Sequence, residues 1–449
     1  MVSPLWLFSL RAFYPWAILS LALAFTVSVM RPADFKVRVD REDGVYSPGE
    51  NAFWTVETLN LKPKETAPNS LRYKLVSNNL DTLQEGELTL ENGRGSFSAT
   101  RRTPGTLMLV LAIPGAKEMA SGAVFDPQGL HPSRPRPGDF DAFWAKAVRA
   151  AQAVPLHPVL APEESPNQEV ELWQVTLDHI RGAKVRGQLA RPKGYPGEKF
   201  PGMVIFQWAG FYPLAKPWAV EPASQGWLVL NTQAHDIPVY EPREVYQRIQ
   251  DSTHQDFYKI GNEDRETSYY LGMYLSTVQA VRYLKSRPDW DGTVLIVRGG
   301  SQGGMLALVA AALNVDSVTG VMAKVPGGCD LNGNLAGNRS GFPDWWNAAL
   351  ERPDPQKVRR AAEYYDVVNF VPRIQAPTLI GIALGDLTCP PVGMFITSNQ
   401  LKAPQELFIL PSAGHGSTPI NPHKPYDNKE ANWLRLLRQN KPPPIVGRR

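Results

Sequence analysis

Residues 293–313 read TVLIVRGGSQGGMLALVAAAL, and this stretch decides the fold. Its first residues form a short apolar run rich in β-branched side chains, which is typical of a buried strand. Methionine, leucine and alanine follow the glycines, and these good helix formers predict a helix. The stretch therefore predicts a strand, a tight turn and a helix in direct succession.

The turn itself, GGSQG at 299–303, fits the pattern G-x-S-x-G. In α/β-hydrolases this pattern is the nucleophile elbow, in which a strand ends in a sharp turn that presents a serine. So sharp a turn needs backbone dihedrals that side chains disfavour, which explains the glycines. The first N–H groups of the following helix point back at the turn, where they can stabilise an oxyanion. Ser301 is therefore the candidate nucleophile; the alternative is a glycine-rich turn with an incidental serine.

Composition and charge narrow the class of protein. A chain of 449 residues has room for two or three domains and a sizeable core. The formal net charge is only +4, and no block of lysine and arginine interleaves with aromatic residues, so the sequence predicts no nucleic-acid partner. The 12 tryptophans and 41 prolines indicate many loops and an aromatic-rich surface or cleft that would suit sugars.

The sequence predicts neither a metal centre nor a cofactor. Two cysteines, Cys329 and Cys389, cannot build a disulfide framework or a zinc site, and whether they pair or stay reduced is left open. The glycine-rich turn lacks the lysine of a phosphate-binding loop. Two clusters of metal-ligating side chains lack helical spacing and are more typical of loop surfaces, namely His235 with Asp236, and Asp251 with His254 and Asp256.

The first 30 residues are typical of an export signal. Arg11 precedes residues 12–30, an uncharged apolar stretch that only Pro15 interrupts and that contains small residues. The stretch is also just long enough to cross a bilayer, so an uncleaved membrane anchor stays open. A buried helix is disfavoured because nothing caps it and charge begins abruptly at Arg31. We expect residues 1–30 to be a signal peptide or anchor, and the protein to be exported to a periplasm or cell surface.

Residues 31–125 show the period-two alternation of short strands. Turn signals such as S-P-G, E-N-G and T-P-G separate the segments, a spacing that predicts an all-β, immunoglobulin-like sandwich. No cluster of residues there suggests chemistry, so a spacer or packing partner is favoured over a carbohydrate-binding module. The alternating segments are Phe35–Val39, Phe53–Glu57, Arg72–Val76, Gly95–Ala99 and Thr106–Leu111.

After residue 125 the pattern changes twice. Residues 126–138 are rich in proline, which favours an extended linker. Asp139 is a candidate N-cap for an amphipathic helix. Over residues 139–440 strands alternate with helices, which predicts a catalytic domain of the α/β class with a largely parallel, doubly wound sheet. The predicted strands are 171–177, 184–190, 202–208, 226–231, 320–325, 378–383 and 406–410, and the predicted helices 268–286 and 428–439.

A hydrolytic serine needs a base, and α/β-hydrolases place serine, acid and histidine in that chain order. Two histidines follow Ser301. His415 follows an apolar strand in the glycine-flanked loop P-S-A-G-H-G, whereas His423 lies among prolines and is more typical of a surface. The pattern therefore favours His415 as the base.

Three aspartates compete for the role of the acid. Asp386 directly follows the strand at 378–383. Asp366 is more typical of a helix or turn, and Asp330 follows the previous strand, an acid position that some hydrolases use. Placement favours Asp386. The base would then take the serine proton during attack on an ester carbonyl, while the acid fixes the imidazole tautomer.

Two backbone N–H groups are expected to bind the oxyanion. One belongs to the residue after the nucleophile, Gln302. The other belongs to the loop after an earlier strand, W-A-G-F-Y at 208–212, where Gly210 lets the backbone come near and Phe211 is our candidate donor. Plain aromatic packing at a strand end is the alternative for this loop.

Several motifs resemble, in the same order, those of the acetyl xylan esterase and cephalosporin-C deacetylase family, carbohydrate esterase family seven. The elbow is similar to the family's G-x-S-Q-G, and G-D-L-T-C-P-P at 385–391 resembles its acid loop, which implies Asp386 as the acid. The resemblance runs from about residue 137 to 437. Further similar segments are DFDAFW at 139–144, Gly210-Phe211, VPGGCD at 325–330 and YYDVVNF at 364–370.

This chain also departs from the family pattern. It has N-T-Q-A-H-D at 231–236 where the family has D-T-R-G-Q-G, Gly416 where the family has glutamate, and Phe211 where it has tyrosine. These changes leave the predicted triad whole and alter its surroundings. The resemblance implies deacetylation of xylo-oligosaccharides and compact oligomeric rings, although the added β-domain leaves a homo-oligomer open.

Three functions follow from the sequence. The first is an exported carbohydrate esterase that removes acetyl groups. The second is a general carboxylesterase or a serine peptidase, which pocket shape would distinguish. The third is a non-catalytic cell-surface binding protein, against which the presence of Ser301, Asp386 and His415 argues.

Overall fold

The computed structural model describes residues 34–59, 68–194, 197–252, 254–416 and 421–445. The predicted signal or anchor at residues 1–30, with its apolar stretch 12–30, lies outside this part of the chain. Within the described ranges, no helix combines the length and the hydropathy needed to span a membrane.

The N-terminal β-region, from β1 to β8, builds two sheets. One has the order β1-β3-β6 and the other β2-β8-β7-β4-β5. Their inner faces enclose a core of their own around the buried Trp54, Leu109 and Phe125. The predicted all-β region is therefore confirmed. Its strands are β1 Asp34–Val39, β2 Val45–Tyr46, β3 Asn51–Leu59, β4 Ser70–Ser77, β5 Asp81–Thr89, β6 Arg94–Thr100, β7 Gly105–Leu111 and β8 Met119–Phe125.

The alternation pattern did not predict two of the longer strands of this region, β5 and β8. In β5 only Leu88 is buried, so no apolar period marks the strand. In β8 the sequence MASGAVF carries small residues that let other backbones approach closely rather than large alternating ones. Along their length, β5 pairs with β4 and β8 pairs with β7. Pairing in the fold, rather than an apolar pattern in the sequence, therefore defines both strands.

The rest of the described chain builds a large mixed sheet of order β17-β16-β15-β14-β12-β13-β11-β10-β9. Strands β12 to β17 pair in parallel, while β9, β10 and β11 add an antiparallel edge. The predicted largely parallel α/β sheet is therefore confirmed. Its strands are β9 Val159–Glu163, β10 Val170–Asp178, β11 Lys184–Pro192, β12 Phe200–Phe206, β13 Leu228–Thr232, β14 Trp290–Gly300, β15 Gly320–Lys324, β16 Thr378–Ala383 and β17 Gln405–Leu410.

Helices cover both faces of this sheet. Every residue of α5 is buried, as expected for a helix that is apolar all round, and it packs on β14, β15 and α4. The strand order reverses beside β14 and β12, the point at which open α/β sheets place their ligands. The helices are α1 Phe140–Ala153, α2 Pro217–Ser224, α3 Arg243–Asp251, α4 Tyr269–Ser286, α5 Gln302–Leu313, α6 Trp345–Leu350, α7 Pro355–Ala362, α8 Pro391–Gln400 and α9 Lys424–Arg438.

The segment that joins the two regions differs from expectation in its details. Asp139 precedes α1, but its side chain makes no capping hydrogen bond. The Asp139 carboxylate accepts instead from Arg265 and Tyr364. The proline-rich segment 126–138 is packed rather than free, because Asn399 donates to the Pro127 and Leu130 carbonyls.

Candidate active site

The G-x-S-x-G turn adopts the strained geometry that its glycines allow. Strand β14 ends at Gly300, Ser301 has φ 56° and ψ −124°, and α5 begins at Gln302. A Cβ on Gly299 would lie 2.4 Å from the Gly303 backbone, and one on Gly303 would lie 2.1 Å from the Phe206 carbonyl oxygen. Both positions therefore require glycine. A non-glycine residue held at such a positive φ is typical of functional sites.

Two loops bring a base and an acid to this serine. His415 follows β17 and Asp386 follows β16, and the imidazole lies between the other two side chains. His415 Nε2 is 2.8 Å from Ser301 Oγ, and His415 Nδ1 is 2.7 Å from Asp386 Oδ2. Because a carboxylate only accepts, the proton sits on Nδ1, and Nε2 is left to accept the serine hydroxyl.

The Asp386 side chain is buried and held by hydrogen bonds. Its side chain is 0% exposed, and its Oδ1 accepts the backbone N–H groups of Thr388 and Cys389 at 2.8 Å each. Oδ2 is thereby aimed at His415. The structure thus brings Ser301, His415 and Asp386 together in hydrogen-bond reach.

The two rival aspartates have other hydrogen-bond partners. Asp366 accepts the N–H groups of Asp330, Leu331 and Val368, and Asp330 accepts both the N–H and the O–H of Ser133. Burial raises the pKa of Asp330, and burial together with the neighbouring Asp330 charge raises the pKa of Asp366 to about 8. Neither carboxylate is hydrogen-bonded to His415, whose Nδ1 is taken by Asp386.

The expected surface position of His423 is wrong. This side chain is 1% exposed, and its Nε2–H donates to the Gly414 carbonyl at 2.9 Å, next to His415. Burial lowers the pKa of His423, which favours the neutral ring. Its proline-rich surroundings gave no signal of this, because the ring is buried by contacts that form only in the fold, such as the hydrogen bond to Gly414.

The structure also describes the two cysteines and His235, one of the metal-ligand candidates. Both cysteines are free and buried, and the Cys389 thiol lies against the Ser301 hydroxyl. His235 is buried rather than at a loop surface, its Nδ1 is 2.9 Å from the Tyr269 hydroxyl, and burial lowers the pKa of His235 to about 3. Within the described ranges, no group of ligand-type side chains has the geometry to hold a metal ion.

The candidate oxyanion donors are Gln302, at the start of α5, and Phe211, in the loop after β12. Gln302 is the first residue of α5, so its N–H has no acceptor within the helix. The Phe211 ring is buried and stacks on His235 at 4.4 Å, and Gly210 before it has φ 121°. The use of the Gln302 and Phe211 N–H groups stays a prediction.

Three aromatic side chains, of which Trp208 is exposed and the other two are partly buried, follow β12. We call Trp208, Tyr212 and Trp218 the aromatic shelf. Trp208 is 44% exposed, stacks on Tyr212 at 5.2 Å and meets Trp218 edge-on at 4.9 Å. The Tyr212 hydroxyl donates to the Trp208 carbonyl at 2.9 Å, which holds the loop closed.

Comparisons with known proteins identify the family. The family model described as acetyl xylan esterase (AXE1) matches residues 128–435. The acetyl esterase Axe7A of Xylanibacter ruminicola is 30% identical over 370 residues, which cover 81% of each chain. The solved acetyl xylan esterase from Paenibacillus sp. R4 is 26% identical with a TM-score of 0.58, covering 69% of this chain and 98% of that one.

A second solved structure agrees in fold. Acetyl xylan esterase 1 from Thermoanaerobacterium sp. JW/SL YS485 has a TM-score of 0.59 at 20% identity, covering 69% of this chain and 97% of that one. The family match spans well over half of the chain. The chain therefore belongs to the acetyl xylan esterase family, has the α/β-hydrolase fold and is a carboxylic ester hydrolase.

Proposed function

We propose that this chain is an exported esterase that removes acetyl groups from acetylated xylan, xylo-oligosaccharides or other acetylated sugars. One observation carries the mechanism: the His415 ring lies 2.8 Å from Ser301 Oγ and 2.7 Å from the Asp386 carboxylate. The acetyl esterase and acetyl xylan esterase named among its relatives support an acetyl ester as the substrate.

In the proposed reaction Ser301 Oγ attacks the acetyl carbonyl while His415 Nε2 takes the hydroxyl proton. The tetrahedral intermediate collapses when the imidazolium gives this proton to the leaving sugar hydroxyl, which leaves an acetyl-serine. Water, deprotonated by the same nitrogen, then attacks the acetyl-serine; the bond to Ser301 Oγ breaks, the imidazolium returns the proton to this oxygen, and acetate is released. Asp386 holds the tautomer and stabilises the imidazolium in both halves.

The oxyanion of each intermediate would be bound by the N–H groups of Gln302 and Phe211. The position of Gln302 at the start of α5 supports its role, because the helix dipole there favours negative charge. The backbone of β12 abuts the elbow at Gly303, which supports a donor from the loop that follows this strand.

The aromatic shelf supports a sugar as the alcohol part of the ester. Binding sites combine exposed aromatic faces with a few polar groups, and a pyranose ring can lie flat on an indole. Trp208 directly follows Gln207, whose backbone packs against the elbow at Gly303, which supports a place for the shelf near the reacting serine.

Export and the domain organisation are the other parts of the proposal. The signal-like residues 1–30 support export, with a cleaved peptide or an anchor through residues 12–30. The two-sheet arrangement of β1–β8 supports an immunoglobulin-like sandwich over residues 31–125. The packed segment 126–138 would connect it to a catalytic domain at 139–440. A homo-oligomer stays open.

The test is acetate release from acetylated xylo-oligosaccharides, together with hydrolysis of p-nitrophenyl acetate, butyrate and octanoate, by wild type and Ser301→Ala. We expect the sugar and acetate esters to be preferred, and both activities to vanish in the variant. Preference for octanoate would indicate a general carboxylesterase. Activity on peptides alone would indicate a peptidase, and no activity on any substrate would contradict the proposal.

A further inference from the structure

The acid loop, residues 384–389, lies directly against the N-terminal β-region. A Cβ on Gly122 of β8 would lie 2.4 Å from the Leu384 carbonyl oxygen, so the two backbones are in contact. Asn79, in the turn between β4 and β5, donates from Nδ2 to the Asp386 main-chain carbonyl at 2.7 Å. Asn79 is only 5% exposed, so this hydrogen bond is shielded from water.

The base loop, residues 411–416, contacts the same strand. The Gly122 N–H donates to the Pro411 carbonyl at 2.9 Å, and Ser121 Oγ is 3.3 Å from Ser412 Oγ. The base loop is also bound to the acid loop, because the Gly385 N–H donates to the Ala413 carbonyl at 2.9 Å. Strand β8 and the two loops therefore form one hydrogen-bonded layer.

The β-region side of this layer is itself firmly held. The neighbouring turn residue Asn78 accepts the Thr106 N–H at 2.8 Å and donates to the Gly337 carbonyl at 3.3 Å. The indole N–H of the buried Trp54 donates to the Ser121 carbonyl at 3.0 Å. The surface against which the two loops pack is therefore held in place by the β-region core.

We propose that the N-terminal β-region is a positioning element of the esterase and that Asn79 is its positioning residue for the acid. Main-chain placement of Asp386 decides where its carboxylate meets His415, and a misplacement of about 1 Å can cost about 100-fold in rate. The inference rests on the proposed roles of Ser301, His415 and Asp386. It assigns the β-region a task at the reaction centre that neither a spacer nor a sugar-binding module would have.

The test compares Asn79→Gly with Asn78→Gly. The two residues have φ 57° and 47°, so glycine fits the turn at either position and removes only the side chain. We expect Asn79→Gly to lower kcat on p-nitrophenyl acetate about tenfold, with KM nearly unchanged. The acidic limb of its kcat/KM profile should move to lower pH, because a displaced carboxylate stabilises the imidazolium less.

The matched control should behave differently. Asn78→Gly loses the bonds to Thr106 and Gly337 and should lower the melting temperature, yet leave the pH profile where it is. Asn79→Ser, whose hydroxyl is too short to reach the carbonyl, is a second variant that removes the donor while keeping a side chain in the turn.

Amide hydrogen exchange gives a readout that needs no activity. Asn79→Gly should speed exchange in peptides covering residues 384–389, and Asn78→Gly should not. If wild type hydrolyses no ester, the proposed function fails while exchange alone still decides the positioning role. Unchanged exchange and pH profile in Asn79→Gly, or equal changes in both variants, would overturn the inference.

Discussion

Replacing Asp386 by asparagine tests the assignment of the acid with almost no change in size. The Asp386 Oδ1 atom accepts two backbone N–H groups at 2.8 Å each, and Oδ2 faces His415 Nδ1 at 2.7 Å. In Asp386→Asn both backbone bonds survive only if the amide oxygen takes the Oδ1 position. The NH2 group then points at His415 Nδ1, so the ring proton moves to Nε2 and blocks transfer from Ser301.

The opposite amide orientation sets the size of the residual activity. It would restore the correct tautomer, but the Thr388 and Cys389 N–H groups would then face an NH2 group. Each buried donor left unsatisfied costs about 1–3 kcal/mol, so the flipped orientation costs at least about 2 kcal/mol. At tenfold per 1.4 kcal/mol its population stays below about 4%. We therefore expect kcat to fall at least about 30-fold, toward the roughly 10⁴-fold loss that a wrong tautomer causes in a serine protease.

The assay is steady-state hydrolysis of p-nitrophenyl acetate, with melting temperatures to show that the variant is folded. Asp330→Asn is the size-matched control, because its Oδ1 keeps both hydrogen bonds from Ser133 and lies outside the predicted triad. The control should stay within a few-fold of wild type. A loss of less than threefold in Asp386→Asn, or a larger loss in Asp330→Asn, would refute the assignment.

Three further outcomes follow from the structure. Trp208→Ala should raise KM for acetylated xylo-oligosaccharides several-fold and leave kcat/KM for p-nitrophenyl acetate unchanged; equal effects on both substrates would exclude sugar stacking. Gly303→Ala should lower the melting temperature strongly, because its Cβ would lie 2.1 Å from the backbone of β12, whereas Gly416→Ala, with open space around it, should not. Burial and the Asp330 charge raise the pKa of Asp366 to about 8, above the roughly 3.9 of an unfolded chain. The free energy of unfolding should therefore fall as pH rises from about 4 to about 8, because over this range the unfolded chain loses the Asp366 proton and the folded protein keeps it. Thermal unfolding should show lower stability at pH 8.5 than at pH 5, and Asp330→Asn should reduce that difference; an unchanged difference would contradict the coupling.

Elements with a strong apolar signal were predictable from the sequence. The strand at 378–383 has the predicted bounds, and the elbow strand and its helix occur where the β-branched run and the helix formers place them. Chain order and placement after strands also selected Ser301, Asp386 and His415 before any distance was known. These features are local, or nearly so, and therefore visible in one sequence.

The supporting contacts around the site were not predictable in this way. Asn79 is 307 residues from Asp386, and a turn asparagine carries no sign of the carbonyl it will meet. His423 is buried where it meets the Gly414 carbonyl of the base loop, a contact that its local sequence does not indicate. Such contacts form when separate regions pack, and no period or motif in a single chain encodes them.

The departure from the family pattern at 231–236 and the aromatic shelf belong to one structural feature. Where the family pattern has an aspartate and an arginine, this chain places Asn231 and Gln233. The Asn231 side chain accepts from Gln207 at 2.6 Å, and the Gln233 side chain donates to the Tyr212 carbonyl at 2.8 Å. Because Gln207 directly precedes Trp208, these neutral amides hold both ends of the loop at 208–212 without an ion pair. The side chains of the substituted segment therefore contact the loop that carries the shelf, which is the surface proposed to bind the sugar. We expect this chain to differ from its relatives in substrate choice rather than in the triad.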